Sequence, residues 1–203
     1  KRHDVTQTFG KLLPETSFSE KVKDIMIGLG YTELTTLTLS NKRDEFEISG
    51  LPEVDAVTVK NPITEEHTCL RSYLMPSLMK ILRHNKHRDL PQKIFEVGFV
   101  IRDAKTVLHL CALQAASRSS FTEVKSLTES VLREMNVEYA FETCDYSTFI
   151  PGRGAFITVD GQRIGVFGEM SPRTITDYEM THPETMPEMD LTGIISKRSG
   201  RLF

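Results

Sequence analysis

Long apolar runs, paired cysteines, an excess of positive charge and the common catalytic signatures are all missing from this 203-residue chain. No stretch approaches the roughly 20 apolar residues that a membrane-crossing helix needs, and the opening Lys1-Arg2-His3-Asp4 lacks the apolar core of a signal peptide. The three cysteines, Cys69, Cys111 and Cys144, stand far apart with no CxxC pair. That spacing argues against a structural zinc site and suits thiols buried in a reducing cytoplasm. With 25 Lys and Arg against 28 Asp and Glu, the net charge is −3. A general grip on nucleic acid needs clustered Lys and Arg, so only a local basic patch is compatible with this balance. No GxSxG, P-loop, GxGxxG or HExxH occurs. His84 and His87, at i and i+3, read as exposed polar residues of a helix rather than metal ligands.

What is present is enough for one sizeable α/β domain or two small ones: 39% of the residues are hydrophobic. Residues 1–16 read as a linker ending near Pro14. Ser17 or Ser19 can cap a helix whose apolar face is Val22, Ile25, Met26 and Leu29, stopped by Gly30. A β-rich run follows over 31–39, then a charged loop with at most a helical turn over 41–51, then a short strand over 54–59. Pro76 suits the first turn of a second helix with Leu78, Ile81 and Leu82 inward. Strands over 93–101 and 107–115 form an antiparallel pair. Residues 122–135 make an amphipathic helix with Phe121, Val124, Leu127, Val131 and Leu132 inward, and 137–141 a strand. The turn Asp160-Gly161 between apolar runs marks a hairpin. Ser171-Pro172 opens a short helix, and 187–191 reads as one more strand. Helices interleaved with antiparallel pairs make an α+β fold.

Several runs carry a resemblance. These are Asn61-Pro62-Ile63-Thr64-Glu65-Glu66, Leu70-Arg71-Ser72, Met75-Pro76-Ser77-Leu78-Met79 and Ile94-Phe95-Glu96-Val97-Gly98, with the block from Phe149 to Pro172 (FIPGRGAFITVDGQRIGVFGEMSP). Together they resemble the β subunit of phenylalanyl-tRNA synthetase, archaeal or eukaryotic type, in its C-terminal synthetase-like module. The resemblance implies a class II aminoacyl-tRNA synthetase-like antiparallel sheet flanked by helices, over 17–195, with a polar tail at 196–203. It also implies a piece of a longer subunit. That family is cytoplasmic and works as an (αβ)2 heterotetramer, attaching phenylalanine to tRNA(Phe) with ATP and Mg²⁺. Its α subunit does the chemistry, and the β module pairs with α.

Class II enzymes carry three motifs, and this chain departs from two. The helix and strand over 17–39 resemble the first, which builds the subunit interface, so Val22, Lys23, Ile25, Met26 and Leu29 are interface candidates. The segment KIFEVGFVIRDAKTVLHLCAL resembles the second, with Arg102 at the place of the arginine that holds the ATP α-phosphate. A planar, bidentate guanidinium suits that task. Ala104, however, replaces the expected glutamate, and the plainer reading of Arg102 is a solvated surface charge. The third motif needs an arginine against the γ-phosphate. The matching PETMPEMDLTGI has none, and Arg198 and Arg201 come later in the polar tail. The expectation is a module with no catalytic residue, no cofactor and no metal of its own. Asn61, Arg71, Arg153 and Glu169 are then scaffold or interface residues: Arg153, between Gly152 and Gly154, in an ion pair, and Glu169 in a structural hydrogen bond. The alternative is a free-standing synthetase paralogue binding a nucleotide or amino acid, supported by Arg102. A plain protein-interaction domain is a third reading.

Overall fold

Two long antiparallel hairpins frame the molecule, which a computed structural model describes over residues 10–199. Strands β4 (Gln92–Arg102) and β5 (Lys105–Ala115) pair along their whole length. Their two-residue turn, Asp103-Ala104, has positive φ at both positions, 50° and 55°, which matches the right-handed twist of the strands. Strands β7 (Phe149–Val159) and β8 (Gln162–Met170) form the second hairpin around Asp160-Gly161. Strand β9 (Glu184–Asp190) lies between the hairpins, antiparallel to β5 and β8. Short β1 (Thr32–Glu33) pairs parallel on the outer edge of β4, and β6 (Ala140–Thr143) antiparallel on the outer edge of β7. The resulting seven-stranded sheet runs β1-β4-β5-β9-β8-β7-β6. A small separate sheet pairs β2 (Leu39–Ser40) with β3 (Cys69–Leu70).

Alternation along the strands gives the sheet two apolar faces. Under one lie α1 (Pro14–Gly28), α3 (Phe121–Glu134) and α5 (Leu191–Ser199), packed with Phe95, Leu110, Ile157, Phe167 and Met189. The other face is covered by α2 (Met75–His84), a π-helical turn (Arg43–Glu47) and α4 (Pro172–Asp177), over Cys111, Leu113, Phe156, Met170 and Met186. Helices on both faces of a largely antiparallel sheet make the α+β fold expected.

Several expected boundaries move, each for a local reason. Helix α1 begins at Pro14 rather than Ser17, because proline costs no helical hydrogen bond in the first turn and Leu13 serves as the cap residue. The run over 31–39 is not one strand. It leaves β4 after Leu34, and Thr36 turns its hydroxyl to Glu96 at 2.6 Å. The 54–59 segment contributes a single bridge, Thr58 to Cys69. The start of the supposed tail is helical: Asp190 Oδ1 accepts from the Gly193 amide at 2.9 Å and caps α5, which runs to Ser199 and includes Arg198. Residues 1–9 of the expected linker and 200–203 of the expected tail, Arg201 among them, lie outside the described residues.

Candidate functional site

A charged residue within an otherwise apolar strand must find a partner, since burying it alone is costly. Three carboxylates and a histidine, Glu96 on β4, His109 on β5, and Glu188 and Asp190 on β9, come together on the face that α2 covers. The strand register places Glu96, Cys111 and Glu188 in one row, and Gly98, His109 and Asp190 in the next.

The segment Arg71–Met75 crosses this face just before α2, held by three carboxylates from three distant parts of the chain. Arg71 gives Nη2 to Glu96 Oε1 at 2.9 Å, Nη1 to Thr36 Oγ1 at 2.7 Å and Nε to the Phe99 carbonyl at 2.9 Å. Both members of the Arg71–Glu96 pair are buried, with side chains 3% and 2% exposed. Gly98 is the residue that leaves room for it, because a Cβ there would meet Arg71 Nη2 and Glu96 Oε1 at 2.7 Å each. Glu45, from the π-helical turn, accepts the Ser72 and Tyr73 amides on one oxygen at 3.0 and 3.1 Å. Glu188 accepts the Leu74 and Met75 amides at 2.9 and 3.0 Å, one on each oxygen, with His109 Nδ1 at 2.9 Å. A carboxylate at the first amides of a helix also meets the positive end of its dipole.

The two carboxylates are shifted in opposite directions. Burial pushes Glu45 up to about 7, against the pull of the Ser72 and Tyr73 amides. Burial also acts to raise Glu188, but the hydrogen bond from His109, the Leu74 amide and the charge of Arg102 outweigh it and hold the group below its ordinary value. Glu188 is therefore an anion locked among donors.

Between this segment and strands β8 and β9 remains a cavity of about 160 Å³, lined among others by Tyr73, Arg102, His109, Phe156, Arg163 and Asp190. Arg102 is not a freely solvated charge. It donates Nε to the Ser72 carbonyl at 3.0 Å and stacks its guanidinium 4.1 Å from the centre of the Tyr73 ring. Arg163 stacks on Phe156 at 4.0 Å and gives two hydrogen bonds to Glu142 Oε2.

The other singled-out residues are spread over the molecule. Arg153 and Glu169 meet beside the β7–β8 hairpin: Nη1 lies 2.8 and 2.9 Å from the two carboxylate oxygens, with Glu169 buried and the arginine side chain 53% exposed. Gly152, at φ 77°, supplies the left-handed turn before that arginine. Asn61 sits on an exposed loop with the fully exposed Ile63. On α1, Val22 and Met26 are buried in the chain's own core, Ile25 is half-buried, and Lys23 bonds Glu20 and Glu33 at 3.1 Å each. The apolar side chains this region turns outward are Leu12, Leu13, Ile27 and Leu29. Helix α1 therefore spends Val22 and Met26 on its own domain and turns Ile27 and Leu29 outward. Glu45, His109 and Glu188 were missed from sequence; the available signal was a lone charged residue between apolar neighbours, as in Leu-His-Leu and Met-Pro-Glu-Met. Among the described residues no group of three or more His, Cys, Asp or Glu side chains can hold a metal ion, and no helix is long and apolar enough to cross a membrane.

Comparison with known proteins places this architecture. The fold is similar to that of a pyrrolysyl tRNA synthetase from Desulfitobacterium hafniense, with a TM-score of 0.75 over 92% of this chain and 69% of that one, at 16% sequence identity. At that identity the likeness speaks for the class II synthetase fold alone. In sequence, the chain is 42% identical over 190 residues to the phenylalanine–tRNA ligase beta subunit of Archaeoglobus fulgidus, covering 92% of this chain and 35% of that protein. It is 37% identical over 187 residues to the same subunit of Methanothrix thermoacetophila. The chain thus spans about a third of the length of these curated relatives. Residues 2–191 match the family described as the phenylalanyl tRNA synthetase beta chain CLM domain. On the match over nearly its whole length, the chain belongs to that family.

Proposed function

We propose that this chain is the non-catalytic, synthetase-like module of a phenylalanine–tRNA ligase beta subunit. It pairs with the catalytic alpha subunit in a cytoplasmic (αβ)2 enzyme and braces the site where ATP and Mg²⁺ drive the charging of tRNA(Phe). The observation that carries this reading is the filled sheet face. Adenylate formation needs room for a nucleotide and positive charge against a triphosphate, and sites for drug-sized ligands run to about 300–1,000 Å³. Here the cavity is about 160 Å³. Arg71 is consumed by Glu96 and Arg163 by Glu142, while Glu188 accepts three protein donors. The outward Leu12, Leu13, Ile27 and Leu29 around α1 supply apolar surface for the partner subunit.

Pyrophosphate exchange with ATP and phenylalanine tests the division of labour. The purified chain should give no turnover, and a beta subunit containing it should co-purify with alpha as an active complex. Turnover by the pure chain, or an alpha subunit fully active without beta, would refute the reading.

A further inference from the structure

At the end of the sheet away from the Asp103-Ala104 turn, a groove of about 520 Å³ opens between the 117–119 loop, the start of α4 and the 180–183 loop. Its floor is apolar and buried, made by Met170, Ile175 and Met180. Its rim is exposed, with Arg118, Thr181 and Pro183 turned to solvent. Backbone hydrogen bonds fix the walls. The Ala116 amide donates to the Pro183 carbonyl at 3.1 Å and ties one loop to the other. The Met180 amide donates to the Ile175 carbonyl at 2.9 Å and holds that methionine against α4. The charge left over at the groove is positive. Arg118 has no ion-pair or hydrogen-bond partner among the described residues. Glu169 also lines the groove, but both its oxygens accept from Arg153 Nη1, at 2.8 and 2.9 Å. That arginine is half-exposed, and its Nε and Nη2 have no described acceptor.

An apolar floor beside an exposed, unpaired guanidinium is complementary to an apolar side chain next to a carboxylate. We infer that this groove docks a segment of a partner protein in which an aspartate or glutamate stands beside a large apolar residue. The carboxylate meets Arg118, whose planar fork suits two-point contact, and the apolar side chain rests on Met170, Ile175 and Met180. A protruding protein segment fits this site better than a small molecule does. Small-molecule sites bury about 70–90% of their ligand, whereas here the rim lies open to solvent. The two methionines suit a docking floor, because a flexible thioether chain adapts to apolar side chains of different shape. The assignment is separate from the pairing of α1 with an alpha subunit and stands whether or not that pairing is right.

Selection of a random peptide library displayed on phage against the purified chain tests it. The recovered peptides should share an acidic residue next to Leu, Ile, Phe or Met, and replacing either of the two by serine should weaken binding at least tenfold. Arg118→Glu should leave the thermal midpoint in place, since the residue is exposed and unpaired, and weaken the same peptides at least tenfold. Lys21→Glu, the same change of charge at an exposed position of α1, should leave their affinity unchanged. Recovery of no peptide, or of neutral or basic peptides, overturns the proposal. So does equal binding to the chain and to Arg118→Glu, or an equal loss in Lys21→Glu. Self-association of the purified chain in sedimentation that Arg118→Glu alone abolishes would give the groove to a second copy and overturn it. Saturable binding of octanoate with no peptide recovered would give it to a small apolar acid, with the same result.

Discussion

Replacing Arg71 by methionine should be among the most damaging single changes to the fold. The substitution keeps most of the aliphatic volume and removes the charge, so Glu96 remains buried with only the Thr36 hydroxyl, and the Phe99 carbonyl loses its donor. Breaking a buried pair on one side costs about 3–5 kcal/mol, because the surviving charge has no solvent to return to. For a domain of this size each kcal/mol moves the thermal midpoint by about 2–4 °C, so the loss should be roughly 6–20 °C. Urea denaturation of the isolated chain gives the free energy directly, and an unchanged m-value would show that the unfolded state is not the cause. The double variant Arg71→Met with Glu96→Leu supplies the control: removing both charges should restore a large part of the loss, since an apolar pair in a buried site is often as stable as the ion pair it replaces. If Arg71→Met costs less than about 1 kcal/mol, the pair behaves like a surface salt bridge, and the buried three-carboxylate clamp is not what holds this segment.

Arg153→Ala should cost less, about 1–2 kcal/mol by the same assay, because the arginine is half-exposed although Glu169 is buried. A loss as large as that of Arg71→Met would show that exposure of the arginine does not weaken the pair. Glu184 is buried with neither oxygen hydrogen-bonded among the described residues, and burial raises its carboxyl from 4.5 to about 8. The folded chain therefore holds this proton more tightly than the unfolded one. Its contribution is complete below the unfolded value and falls away as pH rises through 8. Glu184→Gln should flatten the decline of stability between about pH 4.5 and pH 8. Because Glu45 acts in the same direction near 7, some slope should remain, and an unaltered profile would refute the assignment. Ile27→Asp, on an outward position of α1, should leave the stability of the chain within about 0.5 kcal/mol yet reduce its co-purification with an alpha subunit; undiminished assembly would place the interface elsewhere.

Much of the fold was legible because it is encoded locally. The Asp160-Gly161 hairpin, the α3 stripe of Val124, Val131 and Leu132, and the Ser171-Pro172 helix start all depend on neighbours within a few residues. The errors fall where distant side chains decide. The 31–39 run has strand propensity throughout, but Thr36 is drawn to Glu96 and Arg71 across more than 30 residues, and the strand ends at Glu33. The π-helical turn at 43–47 points Glu45 at amides 27 and 28 positions away, which no local pattern announces. The site was half legible for the same reason. Motif comparison singled out Arg71 and Arg102, whereas Glu188 and Asp190 join Glu96 on one face only once the strand register is fixed. The α1 stripe of Val22 and Met26 was visible in the sequence, but the sequence pattern could not say whether it faces its own sheet or another subunit.

The four amides of Ser72 to Met75 have a consequence for motion. A pocket that takes up and releases a nucleotide must tolerate an empty state, and chain segments facing it are free to relax between turnovers. Here those amides are satisfied by Glu45 and Glu188, so the segment carries an internal occupant supplied by the chain itself. Although it lies outside regular strands and at the very start of a helix, its amide protons should exchange only through openings that release the buried carboxylates, on the timescale of the sheet core rather than of a loop. If the proposed pairing holds, this segment is a strut, and rigidity is the property a bracing module passes across an interface.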